Sequence, residues 1–382
     1  MATTNMLTGN ALTVKLWALK GFTDTLKNTA FGRMVQRGTI MRVSELDNSR
    51  AGDEVTVSFT GLLSGIGITE GGTLTGNEEA LDNQSFKMAF NVARHAVANP
   101  NDDTIEQART LINFEERARS GLQKWHQSRV DASVFNQLAG VNSTNITVDG
   151  TVYSGTNRTI VQGLNTIAVP SSNRIIRAGG RANDQSLTSA DTFTLDLVDA
   201  AIELAASTYP TIEKLDNEEF DLYLSPQQIT DLRRDSSGKV QWLTIAASLA
   251  QGGNADILTN SNGYSSGLVG RYGSVLIYSR DRVAGGVSSA DSSSVANVRR
   301  AVLCGRNALG FASRFSGALK DAKETNGNVP MVFKQELKDF GYIKAIEARM
   351  IYGVKKLQFA FGGTAQDFGS IVISTFAAAH TS

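Results

Sequence analysis

A helical signal runs from Asp103 to Leu138, and its length constrains this chain more than any other feature. Leu111, Phe114, Ala118, Leu122 and Trp125 recur every three or four residues, the spacing that lines one face of an α-helix. Glu115, Glu116, Arg117, Arg119, Lys124 and Arg129 fall on the remaining surface, which is expected to face solvent. Asp103 or Thr104 can cap the start, and Gly140 stands where a terminating glycine belongs. Roughly thirty-five helical residues at about 1.5 Å each span about 50 Å, more than a compact domain of ordinary size needs. A flattened subunit crossed by a spine fits that length.

Two alternating segments precede the helix. In Ala51–Thr60 the apolar Val55, Val57 and Phe59 alternate with polar residues, and in Gln84–Val92 the apolar set is Phe86, Met88, Phe90 and Val92. Period two marks half-buried strands. Between them lies a stretch carrying Gly61, Gly65, Gly67, Gly71, Gly72 and Gly76, far longer than a hairpin turn. Glycines let such a backbone lie close to another chain, so the excursion is expected to project and to make contacts.

Residues 11–37, with Leu12, Leu16, Leu19, Leu26, Phe31 and Val35, suggest an amphipathic arm of helical pieces interrupted around Gly21. Short helices are marginal alone, so a covering surface is implied, and a neighbouring subunit could supply it. The Asn/Ser/Thr/Gly-rich stretch from 140 to 190 reads as an irregular, partly stranded insertion. A helix starting near Asp191 ends at Tyr209-Pro210, and Phe220–Ser225 reads as a strand running into a helix opened by Pro226. Strands follow near 268–279 and 298–311, separated by a Ser/Gly-rich loop over 284–297, with another β segment in Tyr342–Phe361. An α+β lobe over 191–382 accounts for these segments.

With 382 residues the chain exceeds one typical domain, so two lobes or one domain with large excursions are expected. Lys plus Arg and Asp plus Glu number 37 each, which argues against a dedicated nucleic-acid binder. The basic pairs Arg233-Arg234, Arg299-Arg300 and Lys355-Lys356 are too isolated for a nucleic-acid footprint and are expected on solvated faces or subunit contacts. Acidic pairs at Glu78-Glu79, Glu115-Glu116 and Glu218-Glu219 are expected to be solvated. One cysteine, Cys304, sits in an apolar run as a small buried hydrophobe, and with His95, His126 and His380 it makes no metal-ligand spacing. No phosphate-binding loop occurs, and no cofactor is expected. Gly263-Tyr264-Ser265-Ser266-Gly267 has the form of a nucleophile elbow, but no apolar strand precedes it and a strand, not a helix, follows. A serine hydrolase using Ser265 is therefore the alternative of a different class. No window approaches a membrane span and the first residues lack a signal-peptide pattern, so a protein neither secreted nor membrane-bound is expected.

Three runs taken in order carry a resemblance: Ser49–Val57, Gly72–Leu81 and Asn91–Val97, continuing into Asn113–Arg119 and Val134–Gly140. They resemble the tailed-bacteriophage major capsid proteins typified by the N-four coliphage coat protein, closely from about residue 15 to 140 and more loosely at Tyr272–Tyr278 and Phe340–Lys356. The resemblance implies an α+β fold of the Hong Kong 97 type: an N-terminal arm (1–49), an E-loop (50–95), a spine helix and peripheral domain with an insertion (96–190), and a mainly axial domain with returning peripheral strands (191–382).

It further implies a shell subunit, not an enzyme, that self-assembles into hexamers and pentamers of an icosahedral head in the bacterial cytoplasm and resides in the virion. Expected partners are a separate scaffolding protein, a portal, a possible decoration protein and packaged double-stranded DNA contacted non-specifically. An encapsulin-like shell of the same fold is the alternative within the class. Expected inter-subunit contacts are Thr60, Leu62, Ile66, Ile68, Glu70 and Leu74 in the excursion and Leu12, Leu16 and Leu19 in the arm.

Overall fold

The computed structural model describes residues 30–43, 54–60, 66–78, 83–100, 105, 114–234, 267–313, 331–360 and 365–380. Helix α1 (Ala30–Gln36) passes through Gly38, at φ +79°, into strand β1 (Ile40–Val43). Its Phe31 is buried within the body and meets the Phe311 ring at 4.3 Å, so this end of the arm is covered by its own chain and not by a neighbour. Strands β2 (Glu54–Thr60) and β3 (Asn83–Ala89) pair antiparallel, from Glu54 opposite Ala89 to Thr60 opposite Asn83. The alternating segment expected as one strand over 84–92 is in fact two. The ladder to β2 ends at Ala89, and after Phe90 strand β4 (Asn91–Pro100) joins a different sheet. Val92 is accordingly exposed, while Phe86 and Met88 are buried.

Helix α2 (Phe114–Leu138) is the described part of the long helical signal, and its 25 residues extend about 37 Å. Gly140, at φ +63°, closes it in a Schellman arrangement: Val141 N–H donates to Asn136 O at 2.9 Å and Gly140 N–H to Gln137 O at 3.3 Å. A Cβ at residue 140 would stand 2.5 Å from Pro170 and 2.7 Å from Ala168 O. Gly140→Ala is therefore expected to cost at least about 2 kcal/mol, combining left-handed strain with the clash, as a lower urea midpoint would show.

The expected charged face of α2 is not wholly solvated. Arg119 and Arg129 are buried, because strands and a hairpin fold over the positions the periodicity assigned to water.

The chain continues through a hairpin, β5 (Asn145–Val148) and β6 (Thr151–Ser154), a helical turn α3 (Thr159–Gln162), β7 (Ile175–Arg177), α4 (Leu195–Ser207), β8 (Phe220–Leu224) and α5 (Pro226–Arg234). Ser225 and Gln228 form a capping box at α5: Ser225 N–H donates to Gln228 Oε1 at 2.9 Å and Gln228 N–H to Ser225 Oγ at 3.3 Å. Then come β9 (Leu268–Tyr272), β10 (Val275–Ser279), β11 (Gly285–Val287), β12 (Ser294–Cys304), β13 (Leu309–Ser313), β14 (Met331–Lys338), β15 (Ile343–Lys356), β16 (Gln358–Phe359), β17 (Gln366–Asp367) and β18 (Ser370–Phe376). Half of the expected 284–297 loop is thus a ladder, since β11 pairs with β12. The 140–190 region is irregular and partly stranded, as expected, yet it contributes to the core: Val161, Asn165, Arg174 and Asp184 are buried, and Thr159–Gln162 is a helical turn.

Two sheets organise the body. In the first, β1, β13, β15 and β14 are successive neighbours and β4 also pairs with β15; α2 packs against β15 and β4. The second runs β7-β18-β12-β8-β10-β9, with β11 beside β12. Its central strands β8, β10 and β18 and the second half of β12 are buried on both sides. Tyr223, Leu276, Tyr278, Val302 and Cys304 face the core shared with α1 and α2, while Leu222, Leu224, Val275, Ile277, Ala301 and Leu303 face the core under α4 and α5. Two-sided burial explains why these strands read as continuous apolar runs.

Candidate assembly surfaces

Residues 66–78 project between β2 and β3, and almost all of them are exposed. Ile66 is 105% and Leu74 68% exposed, Glu70 is exposed and Ile68 half-buried. The segment holds a shape of its own: Gly72 N–H donates to Thr69 O at 3.1 Å, Asn77 N–H to Leu74 O at 2.9 Å and Gly76 N–H to Glu78 Oε2 at 2.7 Å. Gly67, Gly71 and Gly76 have φ between +71° and +92°, backbone that a side chain would strain. Of the remaining expected contacts, Thr60 ends β2, whereas Leu62, Leu12, Leu16 and Leu19 lie outside the described residues, as does Ser265.

The base of this excursion is fixed. Val55, Phe86 and Met88 pack on Ala312, Leu357 and Phe359, and the Lys355 ammonium lies 4.6 Å from the Phe86 ring centre. Buried Asn165 ties the hairpin to the first sheet, accepting from Ala89 N–H at 2.8 Å and donating to Ala89 O at 2.9 Å and Val354 O at 3.0 Å. A fixed base supporting an apolar tip without cover among the described residues suits a part that docks onto another molecule.

Buried charge fixes α2 relative to both sheets. Near its start, Glu115 accepts from Arg119 at 2.6 Å, from Gln335 at 2.7 Å and from Lys344. Burial would raise Glu115, but Lys344 and Arg119 outweigh it and hold the carboxyl below its ordinary value. At the other end Arg300, on β12, donates to Ala139 O and Gly140 O, each at 3.1 Å, satisfying carbonyls at the helix C-terminus where a cation is favoured. Its Nε donates to Asp184 Oδ2 at 2.7 Å, and Arg177 Nε donates to Asp184 Oδ1 at 3.0 Å. Burial again acts to raise Asp184, yet Arg300, the Val287 N–H and Arg177 keep it lowered.

These residues correct two expectations. Arg300 and Lys356 are not on solvated faces: Lys356 and Asp367 form a fully buried pair at 2.9 Å. Glu115 and Glu219 are drawn into ion pairs, with Arg119 and Lys344 for the first and Arg37 and Arg271 for the second. Sequence reasoning missed Asp184, Asn165 and Asp367 altogether, because their partners lie far along the chain and no local spacing marks them.

His126, on the buried side of α2, donates from Nε2 to Ala348 O at 3.1 Å, and neighbouring Trp125 stacks on His95 at 4.8 Å. Burial pushes His126 down to about 4, against the opposing hydrogen bond to Ala348. The unfolded chain therefore binds a proton that the folded one refuses between about pH 6.5 and 4. The resulting stability is present above 6.5 and is lost as pH falls through that window, on the order of 3 kcal/mol. His126→Gln is expected to flatten the decline, as urea unfolding at pH 7 and 4.5 would show. The Cys304 thiol, fully buried and raised well above its ordinary value by burial, is held protonated and inert.

A family model described as "Phage capsid protein" matches residues 5–379. The major capsid protein of Pseudomonas phage KPP25 is 26% identical over 388 residues, covering 95% of this chain and 94% of that protein. Among solved structures, the capsid of Ralstonia phage GP4 aligns with a TM-score of 0.71 at 22% identity over 93% of each chain. The cyanophage Pam1 capsid asymmetric unit aligns at 0.58 and 21% identity, over 89% of this chain and 88% of that one. The head structure of Helicobacter pylori bacteriophage KHP40 aligns at 0.55 and 13% identity, over 89% and 87%. The shared fold is α+β and of the Hong Kong 97 type.

Proposed function

Because the chain belongs to the phage capsid protein family, we propose that it works as the major capsid protein of a tailed bacteriophage, its copies packing into the icosahedral head shell around double-stranded DNA. The observation that carries this reading is the apolar excursion at 66–78, held out from a fixed base with Ile66 and Leu74 uncovered. In this assignment residues 1–49 are the N-terminal arm, 50–95 the E-loop, 96–190 the spine helix and peripheral domain, and 191–382 mainly the axial domain. Thr60, Leu62, Ile66, Ile68, Glu70 and Leu74 of the E-loop, with Leu12, Leu16 and Leu19 of the arm, contact neighbouring subunits. Each interface can be modest, since many engaged at once give a strong shell.

The role is structural and non-catalytic. Copies form hexamers and pentamers in the host cytoplasm, directed by a separate scaffolding protein, joined to a portal, and contacting DNA non-specifically; a decoration protein can be added outside. The runs at 49–57, 72–81 and 91–97 support the narrower kinship with the N-four coliphage type. Negative-stain microscopy and sedimentation of the protein, expressed with and without its neighbouring genes, test the proposal. Closed particles or capsomer rings are expected. A monomer under every condition would refute it, and turnover lost in Ser265→Ala would favour the hydrolase.

A further inference from the structure

Among the described residues strand β4 is an open edge. It pairs there with β15 alone, through ten consecutive residues from Asn91 opposite Tyr352 to Pro100 opposite Ile343, with no shift of register. In an antiparallel ladder the N–H and C=O of one residue point the same way, alternately toward the partner and away. Two bonds mark the phase: Leu357 N–H, an odd-numbered position, donates toward the β13 side to Ala308 O at 3.2 Å, which leaves the even-numbered residues of β15 facing β4, and Val92 N–H donates to Asn91 Oδ1 at 2.9 Å. Arg94, Ala96 and Ala98 therefore aim their backbone groups outward, and all three residues are exposed. Their backbone groups have no partner among the described residues.

An edge of this length, about 34 Å, is one that isolated proteins protect with charge, bulges, prolines or a covering element. Here the outward set carries one charged side chain, Arg94, and the only proline ends the strand. Only Phe90 separates β4 from β3, so the edge continues from the base of the hairpin assigned above to inter-subunit contact. We infer that the outer edge of β4 pairs, backbone to backbone, with an extended segment of a second copy of this chain. The inference rests on the shell-subunit reading. Main-chain pairing tolerates sequence differences, and alternate pockets along the edge supply selectivity.

Hydrogen exchange resolved to single amides, on dissociated subunits and on shells assembled with the neighbouring gene products and then freed of them, decides the matter. In subunits Arg94, Ala96 and Ala98 exchange fast while Ala93, His95 and Val97, bonded to β15, exchange slowly. In shells the fast set is expected to slow by at least about 100-fold. Ala96→Pro removes an outward N–H and breaks no bond to β15, as edge strands tolerate. It should leave the subunit's circular dichroism unchanged and cut shell yield at least about tenfold; if it unfolds the subunit, the wild-type exchange pattern decides alone. Shells whose Arg94, Ala96 and Ala98 amides stay fast overturn the inference and leave the shell reading standing, as does protection that appears only once another virion protein is added. No shell either with or without the neighbouring genes would remove the shell reading and the inference together.

Discussion

Shells are expected to be lost when Ile66 and Leu74 are both changed to Asp, while the subunit itself remains as stable as the wild type. Both side chains lie in solvent, so neither substitution opens a cavity or strands a buried partner, and each should alter stability by less than about 0.5 kcal/mol. In an interface the same positions would bury two carboxylates without counter-ions, several kcal/mol per contact, repeated at every subunit. Sedimentation should shift from particles to free subunits, with unchanged circular dichroism and urea midpoint. Normal particle yield from the double variant would show that the excursion is not a contact.

Asp184→Ala is expected to cost about 3–5 kcal/mol of subunit stability, the penalty for breaking a buried ion pair from one side. The loss strands Arg300, whose side chain is 5% exposed, and leaves Arg177 and the Val287 N–H without their acceptor. Arg300 also holds the carbonyls of Ala139 and Gly140, so an unpaired guanidinium should loosen the junction between α2 and the second sheet. The double variant Asp184→Ala/Arg300→Met should recover part of the loss, because the buried charge is gone while the helix carbonyls still lack a donor. Chemical denaturation of the four members of the cycle gives the coupling. A single-variant cost under about 1 kcal/mol would mean that water replaces the carboxylate.

The alternation of Val55 and Val57, the helical spacing of Ala118 and Leu122, the stop at Gly140 and the Phe220–Pro226 strand-to-helix junction all appear in the folded chain. Each depends on interactions within a few residues, where backbone sterics and period alone assign a face. The break at Phe90 was not readable, because a strand that changes sheets keeps its alternation of polar and apolar residues nearly intact. The β11 ladder was hidden for another reason: Gly285 and Gly286 read as loop, yet Gly286 is small enough to lie against Val298 and Asp184.

The candidate contacts divide in the same way. A glycine-rich excursion between two alternating segments announced the projecting part of this capsid protein, and local sequence fixed it. Burial of charge followed no such signal. Arg119, Arg129, Arg300 and Lys356 carry the side chains of a solvated surface, and what removes them from water is the arrival of elements distant in the chain. Asp184 is 116 residues from Arg300, and Asn165 is 189 from Val354. The sequence by itself therefore determined these local segments, because they follow from short-range geometry, and its motif runs carried the resemblance to phage capsid proteins. Tertiary structure alone decided which charges are buried and which strand edge stays open among the described residues, because desolvation and pairing depend on what the rest of the chain folds over.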